Sequence, residues 1–164
     1  MQSLKAQKGV SLLVLCITIV IMLILSTTII LSYSSIHAST LKKEFAKEIY
    51  SIQKVIEQYK FMNNIFPVTN DIDIDLSTLD AVAKTQFSNE DKYDTGTITL
   101  KKIDLVEAGV ENVKRGTMVN SDLNDIYVFS PKTHKVYYLK GENISKQIYY
   151  TLTDELKKQI DLSI

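Results

Sequence analysis

From Val10 to Leu31 the chain carries no charge, no proline and no glycine. At about 1.5 Å per residue such a run makes roughly 33 Å of helix, enough to span the hydrocarbon of a bilayer. Beyond it the pattern becomes periodic: Leu41, Phe45, Ile49, Ile52, Ile56, Tyr59 and Asn63 recur at steps of three or four residues, the spacing of one helix face. Lys42, Lys43, Glu44, Lys47, Glu48, Lys54, Glu57 and Lys60 occupy the remaining positions. With no breaker between Val10 and Asn63, the pattern predicts one helix of about 53 residues, fully apolar in its first half and striped in its second. Asn63, Asn64 and Pro67 end it, because proline lacks the amide hydrogen and restricts the residue before it.

The period then changes. "NDIDIDL" puts Ile72, Ile74 and Leu76 on one side of an extended segment and Asp71, Asp73 and Asp75 on the other. Asp75 or Ser77 is placed to cap a helix over about 78–87. "GTITLKKIDLVEAG" predicts a short strand at Thr97 to Leu100 and a short helix from Asp104 that stops at Gly109. The strongest strand pattern is "NDIYVFSPKTHKVYYLKG". Ile126 to Phe129 and Lys135 to Leu139 flank a loop from Ser130 to His134, a hairpin. Gly141 is expected to turn the chain, and "QIYYTL" to add a third antiparallel strand. Thr153 before "DELKKQI" reads as an N-cap with acidic residues in the first turn of a short terminal helix.

A three-stranded meander cannot bury its faces unaided, and the striped half of the long helix supplies the missing layer. The expected fold is therefore α+β, a long N-terminal helix packed on a small antiparallel sheet. The expected organisation is a leader at 1–9, a transmembrane helix half at 10–31, an amphipathic helix half at 32–62 and a globular head at 63–164.

Composition narrows the function. The formal charge is zero, but Lys5 and Lys8 are the only charges before Lys42, so the head is mildly acidic. Arg115 is the only arginine beside many lysines, and lysine lacks the planar fork used to read phosphates and bases. No specific nucleic-acid binding is expected. The single cysteine, Cys16, stands in the apolar run, so no internal disulfide forms. Lipidation there would need a small residue before it, and Leu15 precedes it.

Asp71, Asp73 and Asp75 invite a calcium-loop reading, but Leu76 stands where that loop needs glycine and Val82 where it needs glutamate. The extended reading accounts for the same spacing. His37 and His134 are the only histidines, and neither forms a metal-ligand or nucleophile-activating motif. No catalytic, cofactor-binding or metal residue is assigned, and no enzymatic activity is expected. Tyr127, Tyr137, Tyr138, Tyr149 and Tyr150 could line a sugar-binding or adhesive platform, or simply serve as strand residues.

The start of the chain resembles the type IV pilins and the pseudopilins of type II secretion and competence systems. The resemblance rests on the short basic leader "MQSLKAQKG" followed by "VSLLVLCITIVIML" and the striped helix beyond. It implies cleavage by a membrane-embedded prepilin peptidase between Gly9 and Val10 and N-methylation of the new terminus. It also implies a single-pass membrane protein with a cytoplasmic N-terminus and an extracellular head, joined to other pilin or pseudopilin subunits through the N-terminal helix. Lys5 and Lys8 hold the leader inside by charge bias, although Lys42, Lys43 and Lys47 weaken the asymmetry. The family usually carries glutamate at the fifth mature position, where this chain has Val14, and a proline near the twenty-second, where Leu31 stands. Some clostridial pilin-like proteins are similar in "KGVSLLVL" and lack that glutamate as well, and the lysine excess fits a low-GC Gram-positive source. The competing expectation is a single-pass membrane protein whose exterior domain binds a ligand and never polymerises.

Overall fold

The protein's structure is a computed structural model that describes residues 3–87, 96–117 and 122–160, with the side chains of 3–11 and 28–34 outside the description. The described elements are one long helix, a five-stranded antiparallel sheet, a 3-10 turn and two short helices, an α+β arrangement. Two units divide the chain, Met1–Ser39 and Thr40–Ile164.

Helix α1 runs Ser3–Asn63. It begins inside the nine-residue leader instead of at Val10, and it ends where Asn63 and Asn64 stand. Asn64 takes a left-handed conformation, φ 57°, and its N–H bonds to the Lys60 carbonyl at 2.8 Å. That is a C-terminal cap, with asparagine in the role glycine more often fills. In the first unit the described side chains of 12–27 are apolar around the circumference apart from Thr18, Ser26 and Thr27, and each is exposed. Its hydroxyls turn back on the helix: Thr18 donates to the Leu15 carbonyl at 2.8 Å, and Ser26 to that of Met22 at 2.7 Å. Thr27 donates to the carbonyls of Leu23 and Ile24.

The second unit is built on strands β1 (Val68–Asp75), β2 (Thr97–Ile103), β3 (Tyr127–Phe129), β4 (Val136–Ile144) and β5 (Gln147–Thr151). They lie side by side in chain order, every neighbour antiparallel. Alternating side chains feed two cores. On one face Phe45, Ala46, Ile49, Ile52 and Ile56 of α1 are fully buried, the striped face the spacing predicts. Phe45 meets Tyr138 at 6.3 Å between ring centroids, and Phe66 meets Phe129 at 4.7 Å. On the other face Ile74, Leu76, Ala83, Phe87, Ile98, Leu100, Val128, Tyr137 and Tyr150 form a second cluster. The 3-10 turn Leu76–Thr78 and helix α2 (Ala81–Gln86) cover it. Helix α1 thus supplies one covering layer, and the chain between β1 and β2 supplies the other.

Four local expectations are corrected. The extended segment with Ile72 and Ile74 inward is a full sheet member, β1, so the sheet has five strands and not three. Asp75 caps the 3-10 turn, accepting from the Ser77 N–H at 2.7 Å, while Asp80 caps α2 through the Ala83 N–H at 2.7 Å. One helix over 78–87 is replaced by two capped pieces because each aspartate draws the backbone into its own turn. After Asp104 the chain makes turns without a helix: the Asp104 carboxylate takes the N–H groups of Val106 and Glu107, and Gly109 leaves at φ 74°. Gly141 does not end β4. It sits at φ 72° where the β4–β5 register shifts between Tyr137 and Glu142, as glycine does in a bulge. The turn falls at Ser145 and Lys146, with φ 53° and 70°, the left-handed pair of a tight hairpin.

The terminal helix α3 (Asp154–Gln159) forms as its pattern predicts, with Thr153 as N-cap and Asp154 and Glu155 in the first turn.

Candidate functional site

Arg115 anchors a densely bonded polar cluster among the described residues of the second unit. Its guanidinium donates through Nε to Glu142 of β4 at 2.7 Å and through Nη1 to Glu48 of α1. Its own N–H and that of Lys114 also bond to Glu48 Oε1, at 3.1 and 2.8 Å. Lys114 Nζ reaches Glu44 at 2.8 Å, and the guanidinium lies 5.4 Å from the Phe45 ring centre. A single planar fork therefore ties a loop, a helix and a strand together, which a lysine could not do.

Beside it the Gly116 N–H and the Tyr138 hydroxyl both donate to Asp125 Oδ1, at 2.7 and 2.9 Å. Burial would lower the Arg115 basicity, but Glu142 and Glu48 hold its charge well above the ordinary arginine range. Burial, with the Glu48 charge adding to it, pushes the Tyr127 hydroxyl far up. That oxygen is buried without a hydrogen-bond partner of good geometry.

A cleft of about 300 Å³ runs between α1 and the 110–114 loop, lined by Lys47, Ser51, Glu111 and Asn112 together with Glu44 and Glu48. Glu44 and Glu48 are taken up by Lys114 and Arg115. No histidine lines this cleft beside Ser51, and His134 pairs with Glu57 at 2.7 Å. Among the described residues no three His, Cys, Asp or Glu side chains converge on a metal position. Asp71 is held by Lys101 at 2.6 Å, Asp73 by the Thr99 hydroxyl at 2.6 Å, and Asp75 by Ser77. All five tyrosines of the strand region are buried, so they are core and not a binding platform.

Gly9 and Val10 fall within α1, and their side chains lie outside the described residues. Val14 is half exposed among other apolar side chains. Among the described residues no helix is long and apolar enough to cross a membrane. The described apolar side chains cover 12–27, short of the about 20 residues a crossing takes. The part of the run at 28–31 lies outside them.

The Arg115 cluster is missed in the sequence because its partners stand 67 and 27 residues away. The one available signal is that Arg115 is the only arginine in the chain. No family model, curated protein or solved structure matches this chain.

Proposed function

We propose that the chain is a structural subunit of a type IV pilus-like or type II secretion or competence pseudopilus fibre. In this reading it is cut after Gly9 by a prepilin peptidase and held in the membrane by its N-terminal helix until it joins neighbouring subunits. The observation that carries the reading is the exposure of α1 over 12–27. Leu12, Met22 and Leu23 are each more than 60% exposed, and the apolar surface continues around the helix. A helix hydrophobic on all sides requires an apolar environment on all sides, lipid or other helices. The internal bonds of Thr18, Ser26 and Thr27 support the same environment, because each of these hydroxyls is satisfied without water. The basic leader ending in Gly9 supports removal of nine residues only, with the helix retained.

Val14 in place of the family's glutamate favours a minor or tip position, where pairing with a neighbour's amino terminus is dispensable. Intact-mass measurement of membrane-extracted protein, from cells with and without a prepilin peptidase, tests the proposal. A mature chain starting at Val10 only when the peptidase is present supports it, and Gly9→Val should abolish that product. A full-length chain in both hosts overturns it and leaves the single-pass binding protein as the better reading.

A further inference from the structure

The face of α1 opposite its buried stripe has a period of its own. Lys43, Lys47, Ser51, Lys54, Gln58 and Phe61 recur at steps of three or four residues and are all exposed, so they share one side of the helix. Three of these positions are cations and none is an acid. The glutamates on the flanks of the helix are engaged elsewhere, Glu44 and Glu48 with Lys114 and Arg115, and Glu57 with His134. The second unit thus turns a basic rod outward.

The sheet carries the opposite charge on a strip that α1 leaves bare. Ile74 of β1 and Ile98 and Leu100 of β2 point into the second cluster. Asp71, Asp73 and Asp75, paired with Lys101, Thr99 and Thr97, therefore point to the other face, the one on which Phe45 meets Tyr138 further along the sheet. All three aspartates are exposed. Of the three only Asp71 forms an ion pair, with Lys101; Asp73 and Asp75 accept from a hydroxyl and an N–H, which leave their charge in place.

We infer that this acidic strip of β1 and β2 is the seat for the lysine stripe of a second copy of this chain. The stripe points away from the sheet of its own copy, so the strip it meets belongs to another. The dimensions agree: Lys43 to Lys54 covers about 16 Å of helix and Asp71 to Asp75 about 13 Å of strand, while two strands side by side are about 10 Å across, one helix wide. Three carboxylates facing one ammonium call for a cationic occupant, and the outer face of α1 is one of matching length. A contact between two different patches leaves one of each free on the pair, so it can repeat from copy to copy. Exposed ion pairs are individually weak and screened by salt, so the contact forms where copies are already held side by side. It therefore rests on the fibre reading, in which the N-terminal helices do that.

The test co-produces two differently tagged full-length copies with a prepilin peptidase, both carrying Cys16→Ser. One carries Ser51→Cys in the stripe and the other Thr97→Cys in the strip; a short bismaleimide is applied to the cells, and intact mass is read on the products. A crosslink joining the two tags is expected. Lys43→Glu with Lys47→Glu in the Ser51→Cys copy should cut it about fivefold or more, and adding Asp71→Lys with Asp73→Lys to the other copy should restore it. Chains processed to Val10 that give no crosslink, a crosslink that ignores the reversal, or a loss that the swapped partner does not rescue each overturn the contact alone. Chains still starting at Met1 overturn the fibre reading, and the contact with it.

Discussion

Glu48 of α1 receives three hydrogen bonds from two consecutive residues, the N–H groups of Lys114 and Arg115 and the Arg115 guanidinium. A carboxylate so occupied, with side-chain exposure of 10% on both it and Arg115, is a structural joint between helix and loop.

Removing one half of that joint leaves the other charge stranded. Arg115→Ala should cost about 3 kcal/mol, the low end for breaking a buried pair, because Glu142 is partly solvated. Arg115→Lys should recover less than half of it, since one ammonium cannot serve both carboxylates in the same geometry. Chemical denaturation of the full chain measures both. A cost for Arg115→Ala below about 1 kcal/mol would show that the cluster is not a joint.

Gly116 and Gly109 share a left-handed conformation, φ 75° and 74°, but not surroundings. A Cβ on Gly116 would press into the Tyr127 ring, 2.7 Å from Cε2, while one on Gly109 meets nothing within 4 Å. Gly109→Ala should therefore cost about 1 kcal/mol, for conformation alone. Gly116→Ala should cost about 2 kcal/mol or more, because ring displacement is added. Equal losses in thermal unfolding would refute the difference.

The contact of Lys42 with Glu155, 2.6 Å, links α1 to α3. Hydrogen bonding to Lys42 holds the Glu155 carboxyl below its ordinary 4.5, and the bond to Glu155 raises Lys42 above its ordinary 10.5. A depressed acid contributes stability above its unfolded pKa and loses it as pH falls through the folded one. A raised base contributes below its unfolded pKa and loses it as pH rises through the folded one. The contact should thus be fully present between about pH 4.5 and 10.5 and fade outside that window. Both groups are partly solvated, so the amount is under about 1 kcal/mol. Glu155→Gln should flatten that part of the acid limb in a stability-against-pH series; an unchanged limb would count against the pairing.

For the fibre reading, Val14→Glu restores the acid that the resembling family carries at this position. It should leave the share of chains recovered in sheared surface fibres within about twofold, because a minor or tip subunit does not depend on that pairing. A severalfold rise, with normal membrane insertion, would show that assembly needs the pairing and overturn the minor-position reading.

Local periodicity made much of the head legible. Phe45, Ile49, Ile52 and Ile56 are fully buried at the spacing their positions announce, and Thr153 caps the helix it precedes. Elements whose identity depends on a distant partner were not legible. β1 reads only as an extended segment until its pairing with β2 is known, and Gly141 resembles a turn residue until β4 is seen to continue through it. Gln86 gives no signal at all, because its carboxamide bonds to the backbone of Ile148 and Tyr150, more than 60 residues on. The same holds for Arg115, whose rarity marks it but whose partners only the tertiary structure reveals.

The strictly sequential order of the five strands also bears on how the head is made. Each strand pairs with the one before it in the chain, so no pairing skips over another strand, and the last two close through short loops. Phe45 of α1 is translated early yet meets its ring partner Tyr138 only once β4 has been made. Lys42 must then wait for a residue 113 positions later. The first turns of the striped half are therefore the last to be closed, by Tyr138 of β4 and Glu155 of α3.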